Sequence, residues 1–403
     1  MPNYRDPRIY FIFSTTLFAV LGVSLIAPAL PTMKDKLGLD KAQIGLMITF
    51  FTVPGIFLAP IAGILIDKYG RKEVLVPSLI LFGLAGSACA LTNQFEVLLF
   101  LRALQGIGGA ALMALATTLI GDFYAGPERV DVLGKNASVL SVGTASYPLI
   151  GGFLTVLLGW HAPFTLFFLA VPLALLIWKF LDLPNEKEEL QDFRQYFHAA
   201  MRDLWNREAL MALLVGISGF ILLYGGLMTY SGVFLEEEFD ADADIIGLLL
   251  AFSSISTAIV ASRINWIAAH VPPTKVFLSA LFLQALAIGL ISILPRLEYF
   301  VVVSLLFGTG QGLLVPTLQA EIVRQAPQER RGIVMSLLSS VTRIGQSIGP
   351  LLFGLLLAQF SLSQVFLIVS GTTIFSILSF LLLNSILGKR RNSEKTYRHL
   401  TGE

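Results

Sequence analysis

The sequence predicts an all-α integral membrane protein, with twelve transmembrane helices in two pseudo-symmetric six-helix bundles. Three observations support this fold class. Apolar runs of membrane-spanning length recur along the whole chain, charged residues are scarce, and the second half repeats features of the first. Of the 403 residues, 55% are hydrophobic and 14% are charged, whereas soluble domains carry about 25% charged residues. Such a chain cannot cover its surface with polar groups, so it needs lipid as a solvent.

Twelve apolar runs are long enough to cross a bilayer as helices, which takes about 20 residues. They lie near 9–32, 43–66, 75–94, 98–121, 134–158, 162–182, 209–234, 245–268, 275–294, 298–322, 333–359 and 362–388. Short polar turns separate them, except for one long charged segment at the middle of the chain.

That segment divides the predicted architecture. We expect an N-terminal six-helix bundle at 1–182, a cytoplasmic linker at 183–208, a C-terminal bundle at 209–388 and a basic cytoplasmic tail at 389–403. Within the linker, the segment 193–205 is consistent with an amphipathic helix on the membrane surface.

The first run also raises the alternative of a cleaved signal peptide, since Arg5 and Arg8 precede it and small residues follow at Ala27 and Ala29. Signal peptides have a shorter apolar core, of about 7–15 residues. The first run is long enough to span a bilayer. We therefore expect it to remain as the first helix.

The two halves of the sequence match at a single offset of 202 residues. The matched pairs are Gly45 with Gly247, Gly106 with Gly308, Gly108 with Gly310, Gly143 with Gly345, Pro148 with Pro350 and Gly152 with Gly354. One offset for so many glycines and a proline indicates a duplication. It pairs the first run with the seventh, which also argues against cleavage. Parallel repeats of this kind place binding sites at their interface, near the membrane midplane.

Lysine and arginine predict the orientation, because they concentrate on the cytoplasmic side. With the N-terminus inside, the external side receives only Lys34, Lys36, Lys41 and Arg296. The cytoplasmic side receives Lys68, Arg71, Lys72, Arg129, Lys135, Arg324, Arg330, Arg331 and the basic tail. We expect a multi-pass protein of the inner or plasma membrane with both termini cytoplasmic.

Several function classes are disfavoured. The net charge of +1 argues against a nucleic-acid partner. Cys89 is the single cysteine, so no disulfide framework is possible within the chain. The sequence contains no nucleotide-binding loop, metal-ligand cluster or nucleophile elbow, so we do not expect an enzyme and expect no cofactor or metal.

The segment 63–72 carries the first motif, with Gly63, Asp67, Gly70, Arg71 and Lys72. It resembles the loop motif between helices two and three of the major facilitator superfamily. Glycine permits close approach of a neighbouring helix. A carboxylate at this membrane edge can accept from an arginine or face the positive N-terminus of helix eleven. We predict a cytoplasmic latch between the halves; the alternative is a basic loop that only sets topology.

The segment 101–111, with Arg102, Gln105, Gly106 and Gly108, carries the second motif. It resembles the superfamily's helix-four motif, which is linked to proton coupling. An arginine inside a span should face a cavity or a partner. Its charge does not titrate, but it can bind an anion or lower the pKa of a nearby carboxyl group. The alternative is an arginine that extends to the outer surface.

A glycine-proline motif in helix five is the third, and it resembles the one typical of exporters and antiporters of the superfamily. Its members are Gly143, Pro148, Gly151 and Gly152. Tyr147 stands where the family pattern has glycine, and it would bring a phenol into the cavity. The second half repeats the frame at Gly349 and Pro350.

Together the motifs resemble those of the twelve-helix drug:proton antiporters. The resemblance implies proton-coupled efflux of small amphiphilic compounds by alternating access. It also implies a monomer whose partners are a small-molecule substrate, protons and the lipid bilayer. Helices one and seven lack the deep carboxylate that many such antiporters carry, and the deep charges are Arg102 and Arg343. This pattern favours a neutral or anionic substrate. The alternative is uptake or exchange of a specific organic anion or metabolite on the same fold.

The predicted cavity combines these cations with polar side chains inside the apolar runs. The candidates are Arg102, Gln105, Tyr147, Tyr224, Tyr230, Gln284, Gln311, Gln319, Arg343 and Gln346. Each polar side chain is also consistent with a helix–helix hydrogen bond.

Overall fold

The computed structural model describes residues 7–181, 201–202, 204–327 and 331–401, without the side chains of 63, 64, 67, 331, 332 and 382–401. Most of the predicted linker, including the surface helix expected at 193–205, lies outside the described residues. The exact limits of the two bundles, the linker and the tail stay predictions.

Twelve helices in the described part of the chain are long and apolar enough to cross a membrane, which confirms the predicted fold class. In chain order they are α1 (Arg8–Leu37), α2 (Lys41–Tyr69), α3 (Arg71–Leu91), α4 (Phe95–Phe123), α5 (Gly126–Leu158), α6 (Ala162–Phe180), α7 (Arg207–Phe239), α8 (Ala243–Ser262), α9 (Pro273–Ile291), α10 (Leu297–Arg324), α11 (Arg331–Leu357) and α12 (Leu362–Thr401). A short helix, Ile264–His270, follows α8.

Some helices are longer than their apolar runs. α5 begins at Gly126, whereas hydropathy places its start near 134. The extra turns are polar, and Glu128 in the first turn interacts favourably with the positive helix N-terminus. α12 likewise continues to Thr401, into the predicted tail. Hydropathy marks where a helix enters lipid, so it misses polar turns that extend beyond the membrane.

α1 and α7 are among the helices that depart from regular α geometry within their spans. α1 contains a 3₁₀ turn at Ala27–Ala29, where Pro28 interrupts the backbone hydrogen bonding. α7 is π-helical over Leu222–Tyr230, and π segments inside α-helices are frequently found at functional sites. A Cβ atom at Gly225 would lie 2.7 Å from the carbonyl oxygen of Gly349, so this segment packs closely on α11.

The duplication reappears in the packing. A Cβ atom at Gly106 would overlap the carbonyl oxygen of Phe51, and one at Gly308 would overlap that of Ser253. Each residue of the second contact lies 202 positions after its counterpart in the first. Close backbone approach at these glycines therefore gives both halves the same internal helix contact.

The interface between the halves follows the same symmetry. α2 packs on α11, and α5 packs on α8. The carbonyl of Pro350 lies against Gly45, as the carbonyl of Pro148 lies against Gly247. Polar contacts join the same helix pairs nearer mid-membrane. They are Thr52 Oγ1 with Ser347 Oγ at 2.7 Å, and Ser254 Oγ donating to Thr144 O at 3.0 Å.

Ion pairs join α1, α2 and α7 at one end of the bundle, which we name the Lys34 end. Lys34 Nζ lies 2.9 Å from Glu237 Oε1 and 3.3 Å from Glu236 Oε2. Lys41 Nζ lies 2.6 Å from Glu237 Oε2. Because α7 belongs to the C-terminal half, these contacts close the two halves against each other at this end.

Candidate functional site

The predicted latch motif lies at the opposite end of the bundle, which we name the Arg71 end. Gly70 connects α2 to α3 with a φ of 102°, a backbone conformation that favours glycine. Arg71 Nε donates to Asp122 Oδ2 of α4 at 3.0 Å, and Lys72 is half-buried. Gly63 and Asp67 lie in the last turns of α2. The Asp67 side chain is outside the described residues, so its latch contact stays a prediction.

Arg102 is fully buried within the N-terminal half and links three helices. Its guanidinium donates to the carbonyl oxygens of Met47 on α2 at 3.1 Å and Gly22 on α1 at 2.9 Å, and to Gln105 Oε1 on its own helix at 2.5 Å. The ring of Phe51 lies 4.3 Å from its Cζ. The side chain does not extend to a surface, which excludes that alternative in this conformation.

The predicted glutamines divide into buried and accessible ones. Gln311 is buried and accepts from Gln284 Nε2 at 2.6 Å, a bond between α10 and α9. Gln105 is also buried beside Arg102. These side chains match the alternative interpretation, hydrogen bonds between or within helices. Gln346 is half-buried on α11, and Tyr147 is half-buried on α5.

The glycine-proline motif holds α5 against a helix of each half. A Cβ atom at Gly151 would overlap the carbonyl oxygen of Leu25 on α1, and one at Gly152 would overlap that of Ala243 on α8. Gly143 leaves room for the Leu17 side chain of α1, which would lie 2.8 Å from an added Cβ. The motif therefore lies at the interface between the halves.

Its counterpart on α11 makes the corresponding contacts with α7. A Cβ atom at Gly349 would lie 2.7 Å from the carbonyl oxygen of Ile221. The phenol of Tyr230 donates to Pro350 O at 3.3 Å. Tyr230 is thus buried in helix packing and does not line an open space.

Arg343 has surroundings unlike those of Arg102. It lies on α11 at the interface with α2, where Gly55 leaves the room that its guanidinium occupies. It is half-buried. Among the described residues its side chain has no hydrogen-bond or ion-pair partner, and the phenol of Tyr224 on α7 is the titratable group that interacts with it electrostatically. The structure thus brings together Arg343, Tyr224 and, one turn along α11, Gln346.

The ion pairs at the Lys34 end were not predicted as contacts. The distribution of basic residues predicted that Lys34 and Lys41 lie outside, but it gave them no partners. A signal was present in the sequence, because Lys34 and Glu236 occupy equivalent positions at the 202-residue offset. Equivalent positions in a two-fold repeat meet where the halves touch near the symmetry axis.

A crevice of about 730 Å³ lies within the C-terminal half, between α7, α9 and α12. Its walls are largely apolar and include Leu214, Phe277 and Ile377, with Ser218 and Thr373 among them. Nothing in the hydropathy pattern indicated it, because a gap between helices depends on how their side chains meet. It is separate from the contacts between the halves.

Comparison with known proteins agrees with this architecture. The chain is 29% identical to the bacillibactin exporter of Bacillus subtilis (strain 168), over 96% of this chain and 98% of the relative. It is 26% identical to multidrug resistance protein 1 of the same organism, over 86% and 88%. Among solved structures, a variant of the nucleoside transporter NupG superposes with a TM-score of 0.80 at 16% identity, covering 93% of this chain and 98% of that one. The model of the Major Facilitator Superfamily matches residues 12–242 and 232–400. The chain belongs to that superfamily.

Proposed function

We propose that the protein is a secondary-active exporter that moves small amphiphilic compounds out of the cell by alternating access, driven by protons. The observation that carries this is the interface between the halves. Two symmetric helix pairs, α2 with α11 and α5 with α8, pack through glycines and short polar side chains. Such contacts allow two rigid bundles to rock against each other around a site between them.

In the proposed alternating-access cycle, the structure represents a state in which the Lys34 end is closed. Its contacts are ion pairs between side chains that are 11–40% exposed, so water can take up each charge when the two halves separate. We place this end outside and the Arg71 end, with both termini, in the cytoplasm of a bacterial cell. The contacts then close the exit while the substrate site faces the cytoplasm.

The relatives support export, since two of them are named as an exporter and a multidrug resistance protein. Proton coupling rests on the motif resemblance. We further propose that the protein works as a monomer in the lipid bilayer without a catalytic role, in agreement with a family of transporters.

The test is transport into inside-out membrane vesicles from a pump-deficient bacterial strain that expresses the chain. A panel of toxic amphiphiles, chosen from a susceptibility screen of that strain, would be offered outside the vesicles under an imposed pH gradient. We expect accumulation inside that stops when nigericin dissipates the gradient. Accumulation that does not depend on the pH gradient would contradict proton coupling. The absence of any accumulation would contradict export.

A variant of the latch motif tests whether the predicted contact of Asp67 is needed for transport. Asp67→Asn is expected to reduce transport while the protein still inserts, because a neutral side chain no longer attracts an arginine or a helix N-terminus. Glu73→Gln, which neutralises an exposed carboxylate just outside the motif, should retain most activity. Wild-type transport by the Asp67 variant would remove the latch from the mechanism.

The second candidate is uptake or exchange of an organic anion. The unpartnered Arg343 favours an anionic ligand whatever the direction of transport. The vesicle experiment separates the two candidates, because an uptake system moves substrate out of inside-out vesicles.

A further inference from the structure

Arg343 lies deep in its span. It is ten residues from Ile333, where the apolar part of α11 begins, which corresponds to about 15 Å along the helix axis. A charged side chain at this depth is costly and normally pairs with a carboxylate, backbone carbonyls or a ligand. Among the described residues, none of these protein partners is present.

The position is built to hold a guanidinium. A Cβ atom at Gly55 of α2 would lie 2.6 Å from both Cδ and Cζ of Arg343, so any larger residue there would displace the side chain. Tyr224 approaches from the π segment of α7. Three helices, one of them from the other half, therefore surround this side chain, which is half-buried between them.

Within their membrane-spanning parts, the same three helices offer no counter-charge. The spans 41–66, 209–235 and 333–357 of α2, α7 and α11 contain no aspartate or glutamate. Neutral donors line the position instead. Tyr224 and Gln346, which lies three residues along α11, are half-buried, and residues three apart share one face of a helix.

We propose that Arg343 binds the anionic group of the transported compound, with Tyr224 and Gln346 donating to the same group. The proposal rests on the proposed export function and narrows its substrates to amphiphiles that carry a carboxylate or a similar anion. A guanidinium presents a rigid fork of N–H groups that matches a carboxylate with two parallel hydrogen bonds. The same charge repels the cationic amphiphiles that a carboxylate-lined cavity would select.

The test compares two fluorescent probes that differ in one charge. They are 11-(dansylamino)undecanoic acid and its methyl ester. Binding to the purified protein in phosphatidylcholine nanodiscs would be followed by energy transfer from tryptophan to the dansyl group. We expect the acid to bind roughly ten- to hundredfold more tightly than the ester, the range of one charge-assisted contact. Arg343→Gln should abolish this preference, and Arg343→Lys should retain part of it.

Matched controls separate the site from general effects. Gly55→Ala keeps the charge but displaces the guanidinium, so it should reduce the preference for the acid; it also carries the test if Arg343→Gln fails to fold. Gly371→Ala adds a methyl group where no atom lies within 4 Å of it, and Arg263→Gln removes an exposed arginine. Both should retain the preference.

The outcomes are distinct from those of the export test. Equal binding of acid and ester, or a preference that survives in Arg343→Gln and in Gly55→Ala, would overturn the anion site, while gradient-driven accumulation of neutral compounds would leave export standing. An Arg343-dependent preference without accumulation in inside-out vesicles would keep the anion site and reject export.

Discussion

Two arginines lie inside the spans, and their surroundings are opposite. Arg102 on α4 is completely buried, and carbonyl oxygens of Met47 and Gly22 accept its hydrogen bonds. Arg343 on α11 is half-buried beside Gly55, with no hydrogen-bond acceptor among the described residues. The first is part of the internal structure of one half. The second lies at the interface between the halves, where we propose that it binds a ligand.

Neither arginine belongs to the duplicated frame. At the 202-residue offset, Arg102 corresponds to Ser304 and Arg343 to Ser141. The hydroxyl of Ser304 is buried and has no hydrogen-bond partner among the described residues. The halves therefore share their helix packing through glycine and proline, while each carries its own arginine at a position that is not equivalent in the repeat.

The largest effect is expected from Arg102→Ala. It would leave a cavity and remove the donor from two buried carbonyl groups, at a cost of about 3–5 kcal/mol. We expect a large loss of monodisperse protein and a lower thermal midpoint in detergent. Arg343→Gln should leave the midpoint unchanged or raise it, because it removes an unpaired charge. Equal thermal midpoints for the wild type and the Arg102 variant would contradict the structural role assigned to Arg102.

A smaller loss of stability is expected for substitutions at the two equivalent glycines that make the same helix contact in each half. Gly106→Ala and Gly308→Ala each place a methyl group on a backbone carbonyl, which should lower the free energy of unfolding by about 1–3 kcal/mol through overpacking. Gly134→Ala is the control, because nothing lies within 4 Å of its added Cβ. The measurement is thermal unfolding of the three variants. If only one of the first two is destabilised, the halves differ in packing as well as in charge.

The ion pairs at the Lys34 end should have a moderate effect on the conformational equilibrium. Lys34→Gln removes contacts to both Glu236 and Glu237, each of which contributes up to about 1 kcal/mol. Together the two contacts favour the paired state by up to about 2 kcal/mol, so the separated state should gain up to roughly thirtyfold in population. The readout is maleimide labelling of Ser231→Cys, a buried position on α7, in a Cys89→Ser background.

Lys36→Gln is the control for that measurement, since Lys36 is exposed on the same turn of α1. Labelling should rise in the Lys34 variant and stay near the parent rate in the Lys36 variant. A common rise would indicate a general charge effect and not loss of specific pairs.

The smallest effect is expected at the Arg71 end. Arg71→Gln breaks the contact with Asp122, whose carboxylate is 19% exposed, at a cost of about 1 kcal/mol. The thermal midpoint should fall by a few degrees at most. Asp122→Asn should behave in the same way, and a larger fall in either variant would mean that this contact also supports the connection between α2 and α3.

Sequence determined the number of helices, their approximate limits and the duplication. Bilayer thickness makes each span a local property of its own apolar run, and glycines at one offset of 202 residues record the repeat. Only the tertiary structure decided how the two arginines differ. The groups that satisfy Arg102 are backbone carbonyls on α1 and α2, and every residue carries such a carbonyl. Which carbonyls come within reach depends on how the helices pack, so no sequence pattern could separate a satisfied arginine from an available one.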